Sequence, residues 1–310
     1  MVYSFSMLTM FFLLRMKYLF GKVETKSFVF TGIRIMQTEN MEIYADQEGF
    51  ANQITMGEYE TNNSEAFLNR DENKTLRSLQ GQLSWLCTQT RPDLSFDSFQ
   101  LSTVLNRSTF QDAKHGNKVV KKMKEKEIGL KFKHLGNIDD LHIEVFADAS
   151  LGNIEEGIQT KSAMGYFICL TNDDLEMSPL HWKSSVIDKV AEDIKTAETL
   201  ALEKSIDDAI HLSNLLTEVY TGKSTENSIP IVANTDSKSL LQSIYSTKKV
   251  KRKTMRVVVS SLQQHLQQKI VKEVNHVKSA DNIADVFTKN GVNTNRIIQV
   301  LKSGSLYHRN

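Results

Sequence analysis

Four carboxylates, far apart in the chain, each occur in a local pattern that could place them at one edge of a sheet. Asp148 and Asp236 end β-branched, apolar runs that predict strands. Glu198 lies near the start of an amphipathic helix, and Asp285 lies on a short helical segment late in the chain. Carboxylates that converge in this way can hold two Mg²⁺ ions, and two such ions can activate a water molecule for hydrolysis.

The two strand-end acids each have a simpler structural interpretation. Asp148 could begin a turn, because Asp accepts hydrogen bonds from its own nearby backbone. Asp236 could cap the helix predicted at 237–245, since an Asp side chain satisfies free N–H groups at a helix start. A cap position at the end of a strand also points toward the sheet edge, so Asp236 could do both.

The two helical acids each have a rival. Glu198 is placed in the first turn of its helix, where an acid is favoured by the helix dipole alone, and Glu203 is the alternative to it. Asp281 is the alternative to Asp285, with helix capping as its structural interpretation. Spacing alone leaves both alternatives open in each case.

The elements that must position these acids follow from hydrophobic periodicity. Alternating and β-rich runs predict strands at 142–148, 163–170, 179–184, 229–235 and 270–276. Spacings of three and four predict a long helix at 194–219 and shorter helices at 236–245 and 253–268. Three strands, then alternating helices and strands, predict an α/β domain with a mixed five-stranded sheet and flanking helices.

The residues before 138 show a different organisation. An alternating run at 28–35 predicts a strand with 41–45 as its hairpin partner, and the polar residues 57–74 predict a linker or long loop. From Thr75 to Lys133 the pattern is helical and includes a lysine-rich amphipathic helix. The apolar segment Met7–Leu14 is too short to span a bilayer, which favours a packing helix over a membrane-associating start.

Composition limits the function classes. The chain has 310 residues, 40% of them hydrophobic and 24% charged, as in soluble globular proteins. With a net charge of only +1, a nucleic-acid-binding surface would have to be local. The two cysteines, Cys87 and Cys169, lie far apart and outside any Cys/His cluster. They indicate reduced, buried thiols in an intracellular protein and argue against zinc.

Six short motifs in a fixed order resemble the ribonuclease H domain of copia-type retrotransposon Pol polyproteins. They are Ala147-Asp148-Ala149-Ser150, Ser162-Ala163-Met164-Gly165-Tyr166, Leu180-His181-Trp182-Lys183-Ser184, Lys195-Thr196-Ala197-Glu198, Thr235-Asp236-Ser237-Lys238 and Ala284-Asp285-Val286-Phe287-Thr288-Lys289. Upstream, Phe30-Thr31-Gly32-Ile33 resembles a strand late in the reverse transcriptase, and Leu83-Ser84-Trp85-Leu86 with Thr90-Arg91-Pro92-Asp93 resembles the segment that links polymerase to ribonuclease H.

The resemblance implies a domain organisation and a fold. Residues 1–60 would be a truncated reverse-transcriptase palm, 61–137 a helical thumb or connection segment, 138–292 a ribonuclease H-like domain, and 293–310 a C-terminal tail. The family's paired-Asp polymerase motif, on a Tyr-x-Asp-Asp turn, has no counterpart before residue 60. Asp139-Asp140 and Asp207-Asp208 fall in a loop and on a long helix, so polymerase activity is not expected.

The implied activity is hydrolysis of the RNA strand of RNA–DNA hybrids in a cytoplasmic retroelement particle or in the nucleus. The metal ligands would be Asp148, Glu198, Asp236 and Asp285, holding two Mg²⁺ ions, with Mn²⁺ as the alternative. The implied partners are the hybrid and the remainder of a Pol polyprotein, with no membrane. A non-catalytic, nucleic-acid-binding or assembly remnant of a retroelement is the competing hypothesis, and an integrase-like or resolvase-like nuclease ranks last.

Two further features belong to this hypothesis. His276 precedes Asp285 at a place where cellular ribonucleases H carry a loop histidine that assists proton transfer and product release; otherwise it is a surface histidine. The densest basic cluster would contact the phosphates of a hybrid, although a solvated face is the simpler interpretation. Its members are Lys248, Lys249, Lys251, Arg252, Lys253 and Arg256.

Overall fold

The computed structural model describes residues 27–60, 63–156, 159–222, 229–247, 250 and 252–306. The predicted helix at Met7–Leu14 and the lysines Lys248, Lys249 and Lys251 lie outside these residues. The strands are β1 Ser27–Phe30, β2 Ile33–Gln37, β3 Ile43–Asp46, β4 Leu130–Phe132, β5 His142–Glu156, β6 Gln159–Thr171, β7 Met177–Val186, β8 Ile231–Thr235 and β9 Val271–His276. The helices are α1 Glu48–Gln53, α2 Arg70–Gln89, α3 Ser95–Val104, α4 Phe110–Glu125, α5 Ile194–Thr221, α6 Lys238–Tyr245, α7 Lys253–Gln267 and α8 Asn295–Ser303.

The first sheet is antiparallel, with strand order β1-β2-β3-β4. The run predicted as one strand at 28–35 is two strands, because Thr31 and Gly32 turn the chain with φ of 49° and 81°. Two successive left-handed residues form the tight hairpin turn whose twist matches that of the flanking strands. The predicted pairing partner, the segment around β3, does pair with β2.

The helical segment begins earlier and ends earlier than its sequence pattern predicts. Asn69 accepts hydrogen bonds from the backbone N–H groups of Asp71 and Glu72, and Glu72 accepts one from the Asn69 N–H, so α2 starts inside the predicted loop. At the other end, Leu130–Phe132 is not helical but pairs with β3 as β4. The chain therefore returns to the first sheet after the whole helical segment and completes that sheet with β4.

The second sheet has five strands in the order β7-β6-β5-β8-β9. Strand β5 is antiparallel to β6 and parallel to β8, and β9 is parallel to β8. The long helix α5 connects β7 to β8 and ends at Gly222, a left-handed C-cap with φ of 73°. The predicted α/β class, with a mixed five-stranded sheet and flanking helices, is confirmed.

Both faces of this sheet are covered. Ile143, Val145 and Ala147 of β5 face the apolar side of α5, in a core that includes Leu202 and Ile206. The alternate residues face the other way, because strand side chains alternate between faces. There the core joins β5 and β6 to the first sheet and to α8, and it includes Phe146, Phe167, Ile33, Leu130 and Ile297.

The residues at 293–310, predicted to be a tail, thus contain helix α8, with Ile297 and Leu301 fully buried. The helical segment is also tied to the sheet, because the indole N–H of Trp182 donates to the Cys87 carbonyl at 2.7 Å. Cys87 and Cys169 are both buried and unbridged. Among the described residues, no helix is long and apolar enough to cross a membrane.

Candidate active site

Asp148 lies on β5, at the level of Gly165 on β6, and is 1% exposed. Both of its protein contacts fall on one oxygen. Oδ2 accepts a hydrogen bond from the Thr288 hydroxyl and lies 3.3 Å from the Lys289 ammonium nitrogen. Burial raises the pKa of Asp148 to about 6, although Lys289 and Thr288 act in the opposite direction.

Glu198 is brought to Asp148 by helix α5. It is the fifth residue of the helix and not part of its first turn, because α5 begins at Ile194 after the N-cap Asp193. Glu198 accepts a hydrogen bond from the backbone N–H of Ala149, but its Oε2 is buried without any hydrogen-bond partner among the described residues. Burial, followed by the charges of Asp148 and Asp236, raises the pKa of Glu198 to about 9.

Asp236 directly follows β8 and is only partly buried. One carboxylate oxygen accepts a hydrogen bond of 2.6 Å from the hydroxyl of Ser279, which lies in the loop after β9. The alternative role as a helix cap is not realised, because the N-cap residue of α6 is Ser237 and no side chain caps that helix. The Asp236 carboxylate is therefore directed at the sheet edge.

The structure brings these three acids together from two neighbouring strands and one helix. One carboxylate oxygen each of Asp148, Glu198 and Asp236 lie within 4.8 Å of one another. Like charges at this separation repel, and burial makes the repulsion costly. A divalent cation takes carboxylate oxygens as ligands and would satisfy the unpartnered Glu198 Oε2, so the residues present fit such an ion.

Asp285 reaches the same edge by a different route. It lies in a short 3-10 helix, Ile283–Phe287, that crosses the sheet where Gly165 leaves room for it. A Cβ at Gly165 would meet the Cβ of Phe287 and lie 2.9 Å from the Phe287 carbonyl oxygen. Asp285 is not part of the group of three, but its Oδ1 is 2.7 Å from the same Lys289 ammonium that contacts Asp148.

The rival acids lie elsewhere. Glu203 is 3.9 Å from Lys189 and outside the group of three. Asp281 is paired at 2.5 Å with Arg296 of helix α8, so neither capping nor metal binding describes its contacts. His276 is exposed at the last position of β9, opposite Thr235 and thus beside the residue that precedes Asp236.

The described part of the basic cluster is partly engaged in ion pairs. Arg252 lies 3.0 Å from Glu192 and 2.9 Å from Asp193, so it fixes the start of α7 to the start of α5. Arg256 donates from Nε to the Val250 carbonyl at 2.9 Å. Lys253, at the first position of α7, is exposed. These side chains therefore form a surface with both structural contacts and exposed charge.

Four residues around the acids have no role assigned from the sequence, and three of them, Gly165, Thr288 and Lys289, lie in the quoted motifs. Thr288 and Lys289 contact Asp148, Ser279 contacts Asp236, and Gly165 admits the segment that carries Asp285. The signal for Lys289 was its spacing of four from Asp285, which places the two side chains on one side of a helical turn. Its contact with Asp148 is long-range and has no sequence signal.

A second polar cluster was also missed. Asp208 of α5 accepts a hydrogen bond from the Tyr166 hydroxyl and lies 2.6 Å from the Lys204 ammonium. Burial raises the pKa of Asp208, but these two hydrogen bonds outweigh it and hold the pKa below its usual value. The His181 ring lies beside Tyr166, and burial lowers the pKa of His181 to about 4.

No known protein family and no curated protein matches the sequence. Solved ribonuclease H structures are similar to part of it. A ribonuclease H1 isolated from compost by a metagenomic approach, solved with an RNA/DNA hybrid, is 17% identical, with a TM-score of 0.34 over 47% of this chain and 93% of that one. The N-terminal ribonuclease H domain of a Mycobacterium tuberculosis protein is 17% identical, with a TM-score of 0.33 over 53% and 97%.

The protease–reverse transcriptase of prototype foamy virus is 14% identical to this chain. Its TM-score is 0.32, over 55% of this chain and 21% of the viral one. The five-stranded mixed sheet with its flanking helices is the architecture that the sequence predicted.

Proposed function

We propose that this chain is a metal-dependent ribonuclease H, which hydrolyses the RNA strand of RNA–DNA hybrids, and that it derives from a copia-type retrotransposon Pol polyprotein. One observation carries the proposal. Three carboxylates from separate elements converge at one sheet edge, and a buried oxygen of one of them, Glu198 Oε2, has no partner among the described residues. A stabilising role would not leave that oxygen unsatisfied, because an unpaired buried acceptor costs about 1–3 kcal/mol.

Asp148, Glu198 and Asp236 would hold one Mg²⁺ ion, and Asp285 with Asp148 would hold a second; Mn²⁺ would serve in either position. When bound, the two ions supply an activated water and stabilise the leaving oxygen of the phosphodiester. Glu198, whose pKa of about 9 keeps it protonated at neutral pH, must release its proton to become a ligand. The buried Asp148 is held in place by Thr288 and Lys289.

Residues around the acids would bind the substrate and move protons. His276 is exposed beside the end of β8, where an imidazole could accept a proton from the product side of the reaction. The exposed positive charge of Lys253, with Lys248, Lys249, Lys251, Arg252 and Arg256, would contact phosphates of the hybrid. The ion pairs of Arg252 with Glu192 and Asp193 would set the position of this surface relative to α5.

The segments before the ribonuclease H-like domain would be inherited from a reverse transcriptase. In this proposal residues 1–60 derive from the palm and 61–137 from the thumb or connection, and neither polymerises DNA. The first sheet shares a hydrophobic core with the second sheet, which favours a structural role for these segments. Primer extension by the purified chain above a no-enzyme control would contradict the polymerase part of this proposal.

The test of the activity uses the full chain and a labelled RNA–DNA hybrid with Mg²⁺. Cleavage of the RNA strand that requires the ion, and that is absent with Asp148→Asn, is the expected result. The matched control is Asp281→Asn, which changes an acid paired with Arg296 outside the group of three and should cleave normally. A folded parent with no metal-dependent cleavage would favour the non-catalytic remnant instead.

A further inference from the structure

Among the described residues of the site, Lys289 is the one whose positively charged side chain contacts two of the acids. Its Nζ lies 2.7 Å from Asp285 Oδ1 and 3.3 Å from Asp148 Oδ2. The two carboxylates come from elements that are far apart in the chain, β5 and the 3-10 helix Ile283–Phe287. An ammonium group thus occupies the space between them, and it does so without any external ion.

The backbone at this point is buried and hydrogen-bonded, whereas the Lys289 side chain is partly exposed. Thr288 is fully buried, donates its hydroxyl to Asp148, and accepts a hydrogen bond of 2.8 Å at its carbonyl from the Asn153 amide. The Lys289 side chain, in contrast, is 40% exposed. Its flexible four-carbon stem can therefore move the ammonium toward solvent by rotation about side-chain bonds, with no change in the fold.

The position between Asp148 and Asp285 is the one that a second divalent ion would take in the proposed function. An ammonium and a divalent cation cannot occupy it together, because they repel and compete for the same oxygens. In the described part of the chain, no cationic side chain lies among Asp148, Glu198 and Asp236, and Glu198 Oε2 has no hydrogen-bond partner there. Before any ion binds, the two positions therefore differ, because only the one between Asp148 and Asp285 holds the Lys289 ammonium in the described structure.

We propose that Lys289 is an internal counter-ion that occupies the second cation position and is displaced when the second divalent ion binds. The inference rests on the proposed function. Divalent ions then bind in a fixed order. The first enters among Asp148, Glu198 and Asp236, and the second binds more weakly because it must displace Lys289. Lys289 is thus a positioning residue that sets the concentration of divalent ion at which the site becomes complete.

Direct titration of Mn²⁺ into the full chain by calorimetry tests this inference without any activity measurement. The parent should show two binding steps, the second weaker. Lys289→Met, which keeps an unbranched apolar stem and removes the charge, should tighten the second step by about tenfold or more, equivalent to about 1.4 kcal/mol. The first step should tighten by no more than about threefold. Lys289→Arg should behave as the parent does.

Lys278→Met is the matched control, because Lys278 is an exposed lysine in the loop after β9 that contacts none of the four acids in the described structure. It should leave both steps unchanged. A Lys289→Met variant with an unaltered second step would overturn the inference, as would equal tightening of both steps, which would show only a general change in the electric field.

A measurement on the parent keeps the inference testable if Lys289→Met does not fold. Reductive methylation with ¹³C-formaldehyde keeps lysines charged and gives each an NMR signal, which Lys289→Arg identifies. With Mg²⁺, the Lys289 signal should shift during the second binding step and not the first. A signal that never shifts would overturn the inference. Ion binding that is absent, or unaffected by Asp148→Asn, would instead remove the proposed function itself.

Discussion

Helix α5 carries two buried acids, Glu198 and Asp208, whose surroundings have opposite effects. Asp208 receives hydrogen bonds from Tyr166 and Lys204, and they hold its pKa below the usual value in spite of burial. Glu198 faces two other carboxylates, has an oxygen without a partner in the described structure, and has a pKa of about 9. A buried acid whose partners are all present stabilises the fold. A buried acid that lacks a partner indicates a site for a ligand from outside the chain.

The largest expected effect is on catalysis, at the group of Asp148, Glu198 and Asp236. Asp236→Asn should reduce Mg²⁺-dependent hybrid cleavage by about 100-fold or more, roughly 3 kcal/mol of barrier, because an amide is a poor ligand for Mg²⁺. The free energy of unfolding should change little, because an Asn carbonyl can still accept the hydrogen bond from Ser279. Single-turnover cleavage assays and denaturant titrations measure the two quantities. Equal cleavage by parent and variant would exclude Asp236 from the site.

A substitution in the cluster of Asp208, Tyr166 and Lys204 should instead lower the stability and leave the cleavage rate unchanged. Asp208→Asn should lower the free energy of unfolding by about 2–3 kcal/mol, because Lys204 loses its charged partner and the Tyr166 hydrogen bond is weakened. The rate of hybrid cleavage per folded molecule should stay within about twofold of the parent, since Asp208 lies outside the group of three acids. Urea unfolding and a cleavage assay at low temperature, where the variant is fully folded, distinguish the two effects.

Gly165 connects packing to the site. Gly165→Ala should cost about 1–3 kcal/mol of stability, because the added methyl group meets the Cβ and backbone of Phe287 and pushes away the segment that carries Asp285. Gly81→Ala in helix α2 is the matched control, since a Cβ there meets nothing within 4 Å. That control should raise stability slightly, as alanine does in a helix. A Gly165→Ala protein as stable as the parent would contradict the close packing described here.

The last prediction is a pH dependence of the free energy of unfolding, measured without divalent ions. The pKa of Glu198 is higher in the folded chain, about 9, than the usual value near 4.5, so the folded state binds the extra proton between these pH values. The contribution of Glu198 to the free energy of unfolding is then present at low pH and is lost as pH rises toward 9. Between pH 6 and 8 the parent should lose about 1–3 kcal/mol more than Glu198→Gln.

Asp208 provides the contrast for this measurement. Its pKa is lowered in the folded chain, so its contribution is present above the usual pKa and is lost only when pH falls through the folded value. Asp208→Asn should therefore leave the slope of stability between pH 6 and 8 as it is in the parent. Chemical denaturation in EDTA at pH 6, 7 and 8 gives all three slopes, and identical slopes for parent and Glu198→Gln would contradict the assigned protonation of Glu198.

The elements of the second sheet could be predicted from the sequence, because their signals are local. Alternation identified β6 to β9 to within a few residues, but β5 continues past its predicted end at Asp148 to Glu156, so Asp148 lies within the strand. Spacings of three and four identified α5 almost to its C-cap. Exceptions occur where a specific contact overrides the pattern. Thr31 and Gly32 split one predicted strand, and the capping box at Asn69 starts α2 inside a predicted loop.

The sequence by itself thus determined the α/β class, the elements of the second sheet, and four acids placed where their elements could converge, three of which the structure brings within 4.8 Å of one another. Only the tertiary structure decided that β4 completes the first sheet, that α8 joins the shared core, and that Lys289 contacts Asp148. The physical reason is the separation along the chain of the residues that interact. Hydrogen bonds within a helix and the alternation of a strand depend on near neighbours, whereas these contacts join residues distant in the chain and form only when the elements pack together.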